Sequence, residues 1–156
     1  MCIYKLCIFD IYIKKMSFNL YPTHSQNIKL LDCRKDYKEI VEQFCKVYYA
    51  IYDNDFVNLS NVYIPDALFS YLEENMVGFE QYVDKIRSNG IRKFLHHKVS
   101  VTSQPINKKT LVITSVGHIS VNDSTILNRF SETIILQRSD YNNKMYITNT
   151  IFKLID

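Results

Sequence analysis

Tryptophan is absent from this chain of 156 residues, and glycine and proline occur only three times each. So few chain breakers leave no room for a long flexible linker, a glycine-rich phosphate loop or a low-complexity tract. Cysteine is confined to the first third, at Cys2, Cys7, Cys33 and Cys45, with no Cys-x-x-Cys pair and no histidine at zinc-ligand spacing. That pattern excludes a zinc-binding motif of the usual kind and points to a reducing compartment. The formal net charge is only +3. Its basic residues are dispersed, and the densest pairs, Lys14 with Lys15 and Lys108 with Lys109, read as solvated turns. Neither a nucleic-acid track nor a membrane-surface stripe is present. The opening apolar segment is interrupted by Lys5 and Asp10, too soon to span a bilayer.

What remains is 47% hydrophobic and 22% charged, the composition of one soluble domain with its own core. In the last third, three runs rich in Val, Ile, Thr, Tyr and Phe follow one another: Thr110–Val121, 126–137 and 144–154. Only short polar stretches separate them, so they predict antiparallel hairpins. Upstream, Ile40, Val41, Phe44, Val47, Tyr48 and Ile51 recur at spacings of three and four, which predicts an amphipathic helix over 36–52. Cys45 falls within it as a small core residue. A short helix over Phe56–Val62 follows, with Phe56, Leu59 and Val62 inward. Pro65 and Asp66 break the pattern, 67–72 reads as a short strand, and Glu73, Glu74 and Asn75 form a turn. A third helix spans Phe79–Ser88, facing Phe79, Tyr82, Val83 and Ile86 inward, and a long strand covers 91–103. Helices followed by a curved meander predict an α+β domain with the sheet wrapped around the first helix. Residues 1–33 read as an amino-terminal extension and 34–156 as the domain. The extension either supplies an edge strand or precedes a start at Met16.

Both faces of the meander carry large apolar residues. Leu111, Ile113 and Ile119 share one face of their run, and Val112 and Val116 the other; Phe130, Ile134 and Leu136 oppose Ile135 in the next. A sheet apolar on both sides must have its second face covered. A homodimer through Val112, Val116 and Ile135 would do so, as would residues 1–13 folding back.

Several strings in this order resemble the nuclear transport factor 2 family: YYAIYDND (48–55), VYIPDA (62–67), VGFEQYVDKI (77–86), HHKVSVTSQP (96–105), SVGHISV (115–121), RFSETIIL (129–136) and YITNTIFKL (146–154). The resemblance implies a cone, in which three amino-terminal helices pack in a strongly curved, mostly antiparallel sheet, and two subunits pair through their sheets. It implies a non-enzymatic protein-binding module without metal or cofactor, shared between cytoplasm and nucleus. The partners implied are Phe-Gly repeat nucleoporins, the GTPase Ran in its GDP form, or, as in stress-granule scaffolds, short Phe-Gly motifs. On this chain the GTPase-facing positions fall at Tyr71, Glu73, Glu74 and Asp123, although Leu72 stands where the family carries Glu and Asn149 with Thr150 where it carries Asn-Asp. The peptide pocket falls at Phe44, Val62 and Met145. The alternative from another class is a small-molecule isomerase or dehydratase. It would draw on His96, His97, His118, Glu132 and Tyr71, with His118 and Glu132 meeting across neighbouring strands. Because His96 matches a histidine of the non-enzymatic branch, the resemblance gives it a structural role.

Overall fold

The structure, a computed structural model, describes residues 30–155; the segment 1–29, and with it the readings made for residues 1–15, lies outside them. Helix α1 spans Cys33–Asp55. It starts ahead of its apolar periodicity because Asp32 caps it: the Asp32 side chain accepts from Arg34 N–H at 3.0 Å, and Asp36 reaches back to Asp32 N–H at 3.0 Å. A 3-10 helix, Phe56–Val62, is capped in turn by Asp55. Strand β1 (Tyr63–Tyr71) and β2 (Glu74–Val77) form a hairpin, α2 covers Phe79–Ser88, and β3 (Phe94–Pro105), β4 (Thr110–Val121), β5 (Asn128–Arg138) and β6 (Met145–Ile155) complete the chain.

The six strands make one sheet in the order β2-β1-β6-β5-β4-β3. The last four strands are the predicted antiparallel meander, while β1 joins β6 in parallel. Two readings of the β1–β2 region are corrected. Pro65 does not precede the strand but lies within it, in the irregular stretch between Tyr63 and Leu68 where a missing N–H costs no ladder bond. The turn is Leu72-Glu73, not Glu73 to Asn75: both residues have positive φ, 48° and 72°, as a two-residue hairpin of type I′ requires, and Glu74 already belongs to β2. A Leu-Glu turn carries none of the Asn or Gly signals that mark such loops, so the hairpin escaped a reading by residue type. Likewise β3 begins at Phe94, because Ile91 N–H still closes α2 on the Ile86 carbonyl.

Register shifts in β1, between His97 and Ser100 in β3, and between Ile135 and Leu136 where β5 meets β6 bend the sheet around α1. Opposite the β3 shift lies Gly117, where the strands leave no room for a side chain. A Cβ built there would lie 3.0 Å from the His97 carbonyl oxygen and 3.1 Å from both Phe130 Cε1 and Val99 Cα. The inner face carries Leu111, Ile113, Ile119, Phe130, Ile134, Leu136, Ile147 and Phe152, all buried. Against it pack Val41, Phe44, Tyr48, Ile51 and Tyr52 from α1, with Tyr82, Val83 and Ile86 of α2. Cys45 is half-buried against this core, and burial, with Glu132 nearby, pushes its thiol up to about 12, too high for a reactive thiolate.

Candidate functional site

Alternation along β5 points Glu132 inward with Phe130 and Ile134, opposite Ser115 of β4. It is 1% exposed. Tyr48 donates to one carboxylate oxygen at 2.9 Å and Tyr49 to the other at 3.0 Å, so two consecutive residues of α1 straddle one acid. Tyr63 extends the network, its hydroxyl 3.3 Å from that of Tyr48. Burial pushes the Glu132 carboxyl above its ordinary value; His96 and the two tyrosine hydroxyls oppose that rise without cancelling it. The same burial, with Glu132 adding to it, raises Tyr48, Tyr49 and Tyr63, so all three stay protonated donors.

Beside this network the His96 ring packs at a tilt against Tyr49 and edge-on against Tyr52, each ring centroid 4.8 Å away. Its Nδ1 lies 2.5 Å from Asp53 Oδ1, and its backbone N–H donates to both oxygens of that carboxylate at 3.1 Å. Asp53 thereby ties the carboxyl-terminal turn of α1 to the start of β3. The expected meeting of His118 with Glu132 does not occur. His118 is registered against His97 on one side and Arg129 on the other, on the outer face, while Glu132 alternates to the inner one. His97 is bonded to Ser120 instead. Among the described residues, no group of three or more His, Cys, Asp or Glu side chains is placed to hold a metal ion.

The positions drawn from the family resemblance separate into two ends and one face. At the amino end the chain enters between turns: Cys33 N–H donates to the Lys108 carbonyl at 2.9 Å, and the Arg138 guanidinium to that of Leu31. Towards this end lie Phe44, stacked on Tyr48, together with Val62 and Met145, which flank the stretch where Tyr63 is registered with Ile147. Phe44 is buried and the other two are partly buried against the core. At the carboxyl end, where β6 finishes, lie Tyr71, Glu73, Glu74 and Asp123. Tyr71 is buried against Phe152, with ring centroids 5.3 Å apart, and burial raises its phenol. Glu74 is paired with Lys85 at 2.6 Å and Asp123 with Lys93 at 2.7 Å, leaving Glu73 as the unpaired carboxylate of this set.

The outer face holds the third group. Val112 and Ile135 are registered directly opposite each other, and Val116 opposite Ser131. The structure adds residues to this face that the strand-by-strand reading missed: Leu68 (51% exposed), Val77 (52%) and Ile151 (46%). Leu68 pairs with Val77 and with Asn149, which in turn faces Ile135 opposite Val112, so a row across five strands is apolar except at Asn149. Alternation along 144–154 already singles out Ile151 against buried Phe152. Leu68 and Val77 needed the hairpin.

A protein-family model described as the nuclear transport factor 2 domain matches residues 40–154. The chain belongs to that family. Among curated relatives, the nuclear transport factor 2 of Schizosaccharomyces pombe is 26% identical over 120 residues, 76% of this chain and 96% of the relative. The solved nuclear transport factor 2 of Cryptosporidium parvum superposes with a TM-score of 0.67 at 21% identity, over 77% of this chain and 95% of that one. The yeast UBP3-associated protein BRE5 gives a TM-score of 0.60 at 19% identity, over 77% and 97%. Both likenesses lie below 25% identity and show the shared fold.

Proposed function

We propose that this chain is a non-catalytic docking module of the transport-factor class, paired with a second copy through the outer face of its sheet. The observation that carries the reading is that face. α1 and α2 lie against the inner surface, and no described element covers Leu68, Val77, Val116 and Ile151 on the other. Fully burying an aliphatic side chain contributes about 1.5–3 kcal/mol, so covering these half-exposed residues from both subunits is worth several kcal/mol before association costs. Against catalysis, the one acid in the interior network has both oxygens taken by tyrosine hydroxyls and no contact with solvent. It serves to join α1 to the sheet.

The work of the module is to carry or dock protein partners between cytoplasm and nucleus, consistent with relatives named for nuclear transport. Phe-Gly peptides are assigned to the amino-end group, Phe44, Val62 and Met145. The GTPase Ran in its GDP form is the second candidate, at Tyr71, Glu73, Glu74 and Asp123, but two of those three carboxylates are already engaged by lysines. Sedimentation velocity tests the pairing: wild type should run as a dimer, and Ile135→Asp as a folded monomer by circular dichroism. A wild type monomeric at tens of micromolar would refute it. If deletion of residues 1–15 then exposed the sheet and caused aggregation, the extension would be the cover instead. Parallel pull-downs with a Phe-Gly repeat peptide and with Ran–GDP separate the two docking assignments.

A further inference from the structure

A row of basic side chains crosses one end of the outer sheet face. His97 of β3 and His118 of β4 are registered directly opposite each other, and His118 faces Arg129 of β5 on its other side. Both histidines are half-buried and Arg129 is exposed. β3 is the last strand of the sheet, so no further strand flanks His97. Its Nε2 lies 3.3 Å from Ser120 Oγ, a hydroxyl that can serve the neutral or the charged ring. The bulge that follows His97 adds exposed Lys98. One step along the face Val116 is paired with Ser131, which faces Lys153, and Ile155 stands beyond Arg129. Among the described residues, no acidic side chain occupies an outer-face position of β3, β4, β5 or β6. His96 alternates to the inner face, where Asp53 holds it.

Resting on the sheet-to-sheet pairing proposed above, we infer that this row makes the pairing sensitive to pH: two copies associate while His97 and His118 are neutral and separate as the rings take up protons. Imidazole is the side chain whose charge ordinarily changes between pH 5 and 8. Protonation turns one fixed cation into three in direct register, and like charges opposite one another on a sheet repel. Pairing brings a second such row into the same contact and removes the water that screens both. The row cannot stay outside that contact. Four strands of 11 or 12 residues, about 4.8 Å apart and rising about 3.3 Å per residue, offer a face of about 700 Å². A stable interface takes about 800 Å² from each partner, so it extends over the whole face. His118 is also two residues from Val116 on the same side of β4, continuous with the apolar residues assigned to the pairing. Separated subunits bind more protons than the pair, so association weakens as pH falls.

Sedimentation velocity of the full chain at pH 7.5 and 5.5, at equal ionic strength, tests this with His97→Gln/His118→Gln as the comparison. The dissociation constant of wild type should rise about tenfold or more on acidification, while that of the double variant stays within about twofold. Glutamine is polar at both positions and never ionises. His24, His96 and Glu132 remain in both proteins, so their titration cancels in the comparison. Arg129→Gln, at an exposed position, keeps both rings and should recover part of the loss. That variant and the wild-type series decide the question if circular dichroism shows the double variant unfolded. Equal weakening in wild type and variants, no change with pH, or tighter association in acid would each overturn the inference and leave the pairing intact. A wild type monomeric at both pH values would instead remove the pairing, and this inference with it.

Discussion

Glu132→Gln probes the interior network through its pH dependence. In the folded chain the carboxyl is held above its ordinary value of 4.5, first by burial, against the pull of His96, Tyr48 and Tyr49. A raised folded value means that the native state keeps the proton while the unfolded chain has lost it. Stability from this group is therefore fully present below about pH 4.5 and declines as pH rises, until the folded carboxyl has itself titrated. Each pH unit in that window costs about 1.4 kcal/mol. Glutamine keeps the shape, accepts from one tyrosine, donates to the other and never ionises. Wild type and Glu132→Gln should thus be similar near pH 4.5. The variant should gain relative to wild type with rising pH, and stop gaining once the folded carboxyl has itself titrated. Glu132→Ala should instead lose about 2–4 kcal/mol near pH 4.5, since it strands the Tyr49 hydroxyl and opens a cavity, and that gap should narrow as pH rises because only wild type carries the titrating carboxyl. Urea unfolding at half-unit steps from pH 4.5 to 7.5 measures this. Far-UV circular dichroism is the probe, as the chain has no tryptophan, and protein concentration is held fixed because a dimer's midpoint depends on it. A gap that moves in favour of wild type as pH rises would show that the fold prefers the carboxylate, and the reasoning would fail.

Two further substitutions test the bends in the sheet. Gly117→Ala should destabilise by about 1–3 kcal/mol in urea titration, because two of the three atoms its Cβ meets belong to β3 backbone and cannot swing aside; a neutral result would mean that the strands part freely there. Replacing Leu72-Glu73 by Asn-Gly should raise stability by about 1 kcal/mol, as both positions hold positive φ that Asn and Gly adopt with less strain. A loss in thermal unfolding would show instead that the Leu72 side chain stabilises the fold through its contacts.

The local periodicities of this sequence by themselves determined the three helices, the four-stranded meander and which residues face inward. Leu111, Ile113, Phe130 and Ile134 are inner-face residues simply because a strand alternates, and Ile40 to Ile51 share a helix face because a turn takes 3.6 residues. The second apolar face was legible for the same reason, in Val112, Val116 and Ile135. Long-range placement was not. No periodicity relates Tyr48 and Tyr49 to Glu132, 84 and 83 residues away, because that contact depends on where α1 crosses the sheet. Nor does any local signal show that β1 runs parallel to β6, or that Leu68 and Val77 join Ile135 and Val112 on the outer face. Register and chain crossing decide which side chains become neighbours, and both are settled only when the whole core closes.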